Sequence, residues 1–436
     1  MDIVIKNTVV VTIDKEKPIL KDYSVGVEDG KIVEISKKIT GETEHVIDGK
    51  GKLLMPGLVN GHTHLSMTLL RGVADDLALM TWLQDHVWPI EAKMEESHIK
   101  AGADLGIVEM IKSGTTCFND MYWHMEIVAK SVENSGMRAV LSTPLLDVMG
   151  PEQRGKLLHG GEKLIKTLKG HKTITPSLGP HAPYTCSEEM LHKVSDLQEK
   201  YDVRVHMHVS ETEDEVNNMK NDRGKRPFEY LDGIGFLNEQ MVAAHGVWVN
   251  ENEMEIMKNR GVSVVHNPVS NMKLAVGVAP VPEYLEKGIV VGLGTDGAAS
   301  NNSLCMFEDL KIAALLHKLH SKNPEILSAK KSLEIATLGG ARALGLGDKI
   351  GSIEVGKQAD LILIDLNKPH LTPFSNPVSH LVYSARGDDV SHTIVDGKIL
   401  MEDRELTTLD EESVLKEAGV QAGDLLESSG TSDKLF

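Results

Sequence analysis

Leu53–Ser66 reads LLMPGLVNGHTHLS: an apolar run that passes through Pro56-Gly57 and ends on His62-Thr63-His64. On an extended backbone, residues two apart point to the same side. Both imidazoles can therefore turn onto one metal ion while Thr63 faces away. One strand could supply half of a tetrahedral site. An isolated His-x-His is better read as chance or as a satisfied core pair, so the metal reading depends on partners further along the chain.

Before this stretch, residues 1–55 hold short β-rich runs, IVIKNTVVVTI and YSVGVEDGKIVEISK, with Glu28-Asp29-Gly30-Lys31 as a hairpin turn. They predict the first part of a small β-domain. After it the pattern changes to apolar strands separated by helical segments, as in SHIKAGADLGIVEMIKSG before TTCFND and SEEMLHKVSDLQEKY before VRVHMHVS. Such alternation implies parallel strands joined by crossover helices. The strand candidates are LVNGHTHL, TTCFND, RAVLST, TITPSLGPH, VRVHMHV, MVAAHG, VSVVHNP and IVVGLGTD. Eight strands over about 290 residues predict a closed (β/α)8 TIM-type barrel spanning 56–348. Beyond the helical SAKKSLEIATLGGARALG, strands return in GSIEVGKQADLILID and SHTIVDGKILM, so 349–405 is expected to complete a β-sandwich built from both chain ends. Residues 406–436 read as a helix, DEESVLKEAGVQAGDLLES, and a polar tail expected to fray.

Composition narrows the partners. With 436 residues, 41% hydrophobic and 25% charged, the chain can build a sizeable core. A formal net charge of -18 opposes a polyanion, so a nucleic-acid polymer is not expected. Cys117, Cys186 and Cys305 are odd in number and far apart, which fits reduced thiols in a cytoplasmic protein. The opening MDIVIKNTVVVTIDKEKP alternates like a strand rather than a signal peptide, and no apolar run reaches membrane-spanning length, so no membrane partner is expected.

Polar residues gather at the carboxyl ends of the strand candidates: His62, His64, Asp120, His181, His208, His245, His266 and Asp296. Barrel enzymes place their chemistry there. Thr173, Thr175, Ser177, Gly179 and His181 share one strand face, as do Gly292, Gly294 and Asp296, and these small residues are expected to leave room beneath a site. In VHMHVSET, His208 is the ligand candidate because Glu211 follows three residues later, whereas His206 lies one layer deeper and reads as a buried, hydrogen-bonded residue. Asp296 in GLGTDGAAS could supply a carboxylate ligand and proton acceptor, or cap a helix. His245 and His266 could both be core histidines, and for His266 that reading or a supporting role is preferred. Asp120 reads as a cap. Gly292–Gly297 also matches G-x-G-x-x-G, but it closes a barrel and runs into AASNNS instead of an amphipathic helix, so no dinucleotide site is assigned.

Together PGLVNGHTHLS, HMHVSET, AAHGV and GLGTDG, followed by IGSIEVGKQADLILID, resemble the metal-dependent amidohydrolase superfamily over nearly the whole chain. Within it, TWLQDHVWPIEAKM and GPHAPYTCS resemble the deaminases of 5′-modified adenosines: 5′-deoxyadenosine, 5′-methylthioadenosine and S-adenosylhomocysteine. The resemblance implies one divalent metal per subunit, usually zinc, held by His62, His64, His208 and Asp296. It implies that Glu91 and His181 contact the nucleoside, and a homo-oligomer, dimer or tetramer, is expected with it. No lysine of the two-metal type stands at the end of the fourth strand, which reads Gly179-Pro180-His181.

The expected chemistry is hydrolytic deamination of the adenine 6-amino group to an inosine analogue and ammonia. Zinc acidifies a water, Asp296 accepts its proton, and His245 hydrogen-bonds the attacking oxygen. Glu211 protonates the neighbouring ring nitrogen and helps the amine leave. Glu211 and Asp296 thus also contact the substrate. Guanine or triazine hydrolysis, or a non-catalytic scaffold, are the competing readings. Superfamily members that take S-adenosylhomocysteine tend to carry an arginine near the end of the third strand; here RAVLSTPLLD puts Thr143 there, Arg138 at the far end of the barrel and Arg154 in the following loop. The smaller 5′-substituents are therefore expected to be preferred.

Overall fold

Eight parallel strands close on one another in chain order: β1 (Leu58–Thr63), β2 (Thr115–Met121), β3 (Arg138–Leu145), β4 (Ile174–Pro180), β5 (Val205–Val209), β6 (Met241–His245), β7 (Ser263–His266) and β8 (Val291–Leu293). Closure is the pairing of Leu293 with Asn60. The computed structural model describes residues 1–147 and 150–431, and the tail expected to fray lies beyond them from residue 432. All eight strand candidates fall on these strands. β2 is buried on both faces along its whole length, so it shows no apolar–polar alternation, and its Thr115, Thr116, Asn119 and Asp120 are buried along with Cys117 and Phe118.

The connections that matter for the site are α1 (Trp88–Glu91), α2 (Glu96–Lys112), α3 (Met125–Ser135), α4 (Pro151–Leu168), α5 (Glu188–Tyr201), α6 (Glu213–Arg223), α7 (Glu251–Arg260), α8 (Pro268–Lys273) and α9 (Met306–His320). Their ends are written in the sequence. Ser187 caps α5 by accepting the Met190 amide, and Asn250 and Glu253 form a reciprocal box at the start of α7, which stops at Gly261 with φ 73. The apolar stripe Met190, Leu191, Val194 turns α5 onto the barrel.

Val59, Cys117, Val140, Val242 and Val265 come from β1, β2, β3, β6 and β7 yet pack in one cluster with Ala341, Leu344, Leu346 and Ile350. Strands on opposite sides of a ring can meet only inside it, so these residues fill the barrel. The small residues expected to leave room beneath the site do something else. A Cβ on Gly292 would stand 3.0 Å from Gly340 Cα, one on Gly179 2.8 Å from the Thr143 carbonyl, and one on Gly294 2.8 Å from the His62 amide. They let backbone approach backbone, and the space is filled.

The two chain ends form one continuous nine-stranded sheet in which Lys52–Pro56 pairs antiparallel with Leu361–Asp365. The Asp29-Gly30 turn is present, with φ 52 and 77 and Glu28 facing Lys31. Period-two alternation assigns the faces. Leu54, Leu361 and Leu363 pack on the sheet's own core with Ile5 and Val27, while Leu53, Met55, Ile362 and Ile364 join the barrel's core. Between its last strands the chain returns to the barrel, where α10 (Pro377–Tyr383) packs on α9. The final helix, α11 (Glu411–Ser428), packs on α2 with ion pairs His98–Asp424 and Lys112–Glu411. No helix among the described residues is long and apolar enough to cross a membrane.

Candidate active site at the carboxyl end of the barrel

The first strand delivers His62 fully buried, with Nδ1 2.8 Å from His206 Nε2. Its Nε2 is buried without a hydrogen-bond partner, 3.3 Å from Asp296 Oδ1. His64 donates from Nδ1 to the Met121 carbonyl at 2.8 Å, and His208 donates from Nδ1 to the His181 carbonyl at 2.8 Å. Each bond fixes the tautomer, so in both rings Nε2 is the nitrogen carrying the inward lone pair. The two Nε2 atoms lie 3.3 Å apart, and His64 Nε2 is also 3.3 Å from Asp296 Oδ1. Facing lone pairs repel unless positive charge stands between them. His62, His64 and Asp296 converge closely enough to share one divalent metal ion, and His208 Nε2 stands beside His64 Nε2 at the edge of that group.

The carboxylate is oriented by its second oxygen. Ser270 and Ser300 hydroxyls donate to Asp296 Oδ2 at 2.7 and 3.1 Å, while Gly297 N–H donates to Oδ1 at 2.8 Å. Asp296 has φ 62, and its amide donates to the His62 carbonyl, which locks the end of β8 to β1. Burial pushes His62 down to about 4 and His208 well below its ordinary value. Burial also opposes protonation of His64, but the Asp296 carboxylate overrides it and holds that imidazole up at about 9. Burial acts against the Asp296 charge, and the adjacent His62 and His64 imidazoles nevertheless hold its carboxyl well below the usual range.

His245 ends β6 in the left-handed region, φ 72, with Nδ1 2.9 Å from Asn271 Oδ1. Its ring centroid is 5.3 Å from that of His62, and His62, His208 and His245 form a second group able to share an ion. Glu211 Oε1 lies 3.9 Å from His245 Nδ1. Burial raises the Glu211 pKa, His245 opposes the shift and Asp296 adds to it. His181 follows β4 with Nδ1 3.0 Å from Thr185 Oγ1 and its ring 4.9 Å from that of His208, and burial holds it neutral, at about 4. Glu91, on α1, accepts a short hydrogen bond from Tyr122, whose ring centroid is 6.3 Å from that of His64. Burial raises Glu91 as well.

The structure thus gathers His62, His64, His208, His245, Glu211 and Asp296, with His181 and Glu91 at the margin. His266 stays outside the group, its Nε2 3.2 Å from His317 of α9, and Asp120 accepts the Leu65 amide. Arg154, expected in a loop, lies in the first turn of α4 because Pro151 starts that helix one residue after Gly150. Its guanidinium is 2.8 Å from Glu189 and 3.3 Å from Asp147. Sequence reasoning missed Ser270, Asn271, Ser300 and Tyr122. NPVSN after β7 carries a visible helix start at Pro268, but only the fold shows that the first turn of α8 faces Asp296 and His245.

The amidohydrolase family model matches residues 53–400. A 5′-deoxyadenosine deaminase of Methanosarcina acetivorans is 49% identical over 427 residues, 98% of each chain. A 5-methylthioadenosine/S-adenosylhomocysteine deaminase of Thermococcus sibiricus is 49% identical over 403 residues, 92% of this chain and 94% of that one. Among solved structures, an adenosine deaminase from Xanthomonas campestris with bound zinc superposes with a TM-score of 0.95 at 37% identity, covering 98% of this chain and 99% of that one. Matched across the whole barrel and the sheet strands that flank it, the chain belongs to the amidohydrolase family.

Proposed function

We propose that the protein is a hydrolytic deaminase of 5′-modified adenosines, converting the 6-amino group to a carbonyl and releasing ammonia, with one zinc ion held by His62, His64, His208 and Asp296. The observation that carries this reading is the buried, unpartnered His62 Nε2 among two further inward Nε2 atoms and Asp296 Oδ1, with a protonatable Glu211 beside them. The relatives' names support the adenosine part.

A divalent ion held by His62, His64, His208 and Asp296 would supply an acidified water as the nucleophile. Asp296, anchored through Oδ2 by Ser270 and Ser300, accepts a proton from that water. Glu211, whose carboxyl burial pushes up, donates to the purine nitrogen next to the reacting carbon, so that charge drains from the ring as the new C–O bond forms. Asp296 then passes its proton to the amine, the C–N bond breaks to release ammonia, and the hydroxyl proton on the new oxygen returns to Glu211 as the carbonyl forms. His245, tied by Nδ1 to Asn271, keeps Nε2 for the attacking water and stabilises developing charge. Neutral His181 and Glu91, the latter steered by Tyr122, bind the nucleoside.

The choice among 5′-substituents belongs to the same reading. Arg154 already faces two carboxylates and is poorly placed to clamp an amino-acid tail. Elemental analysis together with ammonia release from a nucleoside panel tests the proposal. We expect about one zinc per chain, the highest kcat/KM on 5′-deoxyadenosine and 5′-methylthioadenosine, less on S-adenosylhomocysteine, and roughly a hundredfold less on free adenine, which lacks the ribose partner of Glu91. Full activity in metal-free protein, or guanine or a triazine as the best substrate, would overturn it.

A further inference from the structure

Glu215 has no role in the reaction as described, yet it is a buried carboxylate, 7% exposed, directly behind the proposed proton donor. It sits in the first turn of α6, where the Thr212 hydroxyl caps its amide at 3.0 Å. Its two oxygens are divided between two consecutive backbone amides. Oε1 accepts from Ser210 N–H at 2.9 Å and Oε2 from Glu211 N–H at 2.8 Å. These amides belong to the turn that leaves β5, and Ser210 is held there at φ 55, a conformation a side-chain-bearing residue enters at a cost.

The same turn is gripped from the other side. The Ser210 carbonyl accepts from Val247 and Trp248 N–H, each at 2.9 Å, and the Val209 carbonyl accepts from Gly246 N–H at 3.1 Å. The segment after β6 therefore fixes the carbonyls of the turn, and Glu215 fixes its amides. The position of the Glu211 Cα follows from both, and with it the 3.9 Å approach of Glu211 to His245. A fork of two N–H groups calls for an acceptor with two oxygens. An amide side chain offers one oxygen and sets an NH2 against the second N–H.

We propose that Glu215 is a positioning residue for the reaction: it aims Glu211 by clamping the amides of Ser210 and Glu211. The proposal rests on the role given to Glu211 above. Misplacing a proton donor by a fraction of an ångström costs rate, whereas nucleoside binding through Glu91 and His181 is untouched. The effect of Glu215 must then pass through Glu211.

A double-mutant cycle with Glu215→Gln and Glu211→Gln, assayed on 5′-deoxyadenosine with zinc per chain measured for every variant, tests this. Glu215→Gln should lower kcat about tenfold or more while KM moves less than about twofold and zinc content holds. In the Glu211→Gln background the same change should cost nothing further, because the group it aims is gone. Should Glu215→Gln not fold, Glu215→Asp, which keeps the charge but retracts the fork, is expected to show a smaller kcat loss that also vanishes with Glu211→Gln. Losses that multiply in the double variant, or a rise in KM at constant kcat, would refute the clamp and leave the deaminase reading standing. Normal turnover by Glu211→Gln alone would refute both the proton-donor role and the clamp.

Discussion

At the residue scale, the division of labour within one carboxylate decides the chemistry. Asp296 Oδ2 is engaged by two buried hydroxyls, so Oδ1 is the oxygen presented to His62 and His64. Removing that oxygen would delete one of the four proposed ligands. Asp296→Ala and His62→Ala are each expected to lose the metal and all measurable turnover, read by elemental analysis beside ammonia release; a variant that keeps both would show that the group is not the site. Glu211 stands apart from the ligand set. Glu211→Gln should retain the metal and lose on the order of a hundredfold in kcat, the usual worth of a placed proton donor. Near-normal kcat in that variant would force proton delivery to be reassigned.

At the scale of elements, the site depends on how closely β8 runs beside β1. Gly294 lies where the backbones meet: a Cβ there would stand 2.6 Å from Asn267 Oδ1 and 2.8 and 2.9 Å from the His62 amide nitrogen and carbonyl oxygen. The His62 backbone cannot yield without moving a proposed metal ligand. Gly294→Ala should therefore destabilise the protein by about 1–3 kcal/mol, as overpacking does, and weaken metal retention at the same time. Urea unfolding paired with metal content checks it, and an unchanged midpoint with full metal would mean that β8 can shift away from β1 at little cost.

At the scale of the whole molecule, the barrel and the sheet are joined by a buried ion pair. Arg138, at the amino end of β3, donates from Nε to Asp360 Oδ2 at 2.7 Å and from Nη2 to Oδ1 at 3.0 Å, with both side chains almost fully buried. Breaking such a pair from one side strands the other charge, at about 3–5 kcal/mol. Arg138→Met should lower the denaturation midpoint accordingly, and Arg138→Met with Asp360→Asn should recover a large part of it. Because the pair lies at the end of the barrel opposite the site, kcat/KM of the folded variants should stay near the parent value. A collapse of activity in stably folded Arg138→Met would show that the sheet steers the site.

The chain's periodicity alone carried the eight strands, the helices between them, the Asp29-Gly30 turn and the membership of both chain ends in one β-structure, because strand and helix periods are local properties of the side-chain sequence. His62, His64, His208, His245, Glu211 and Asp296 were legible as candidates for a related reason: each stands at or just beyond the carboxyl end of a strand, and in a barrel such ends converge. Which oxygen of Asp296 faces the cluster, and which residues hold it, depends on Ser270, Ser300 and Asn271, which share no period with the groups they support and meet them only across β7 and β8. The same holds for Tyr122 under Glu91. The glycines of β4 and β8 show the limit most clearly. Parity placed them on one face, but the fold brings other backbones to within touching distance of them, and close packing leaves none of the room their size suggested.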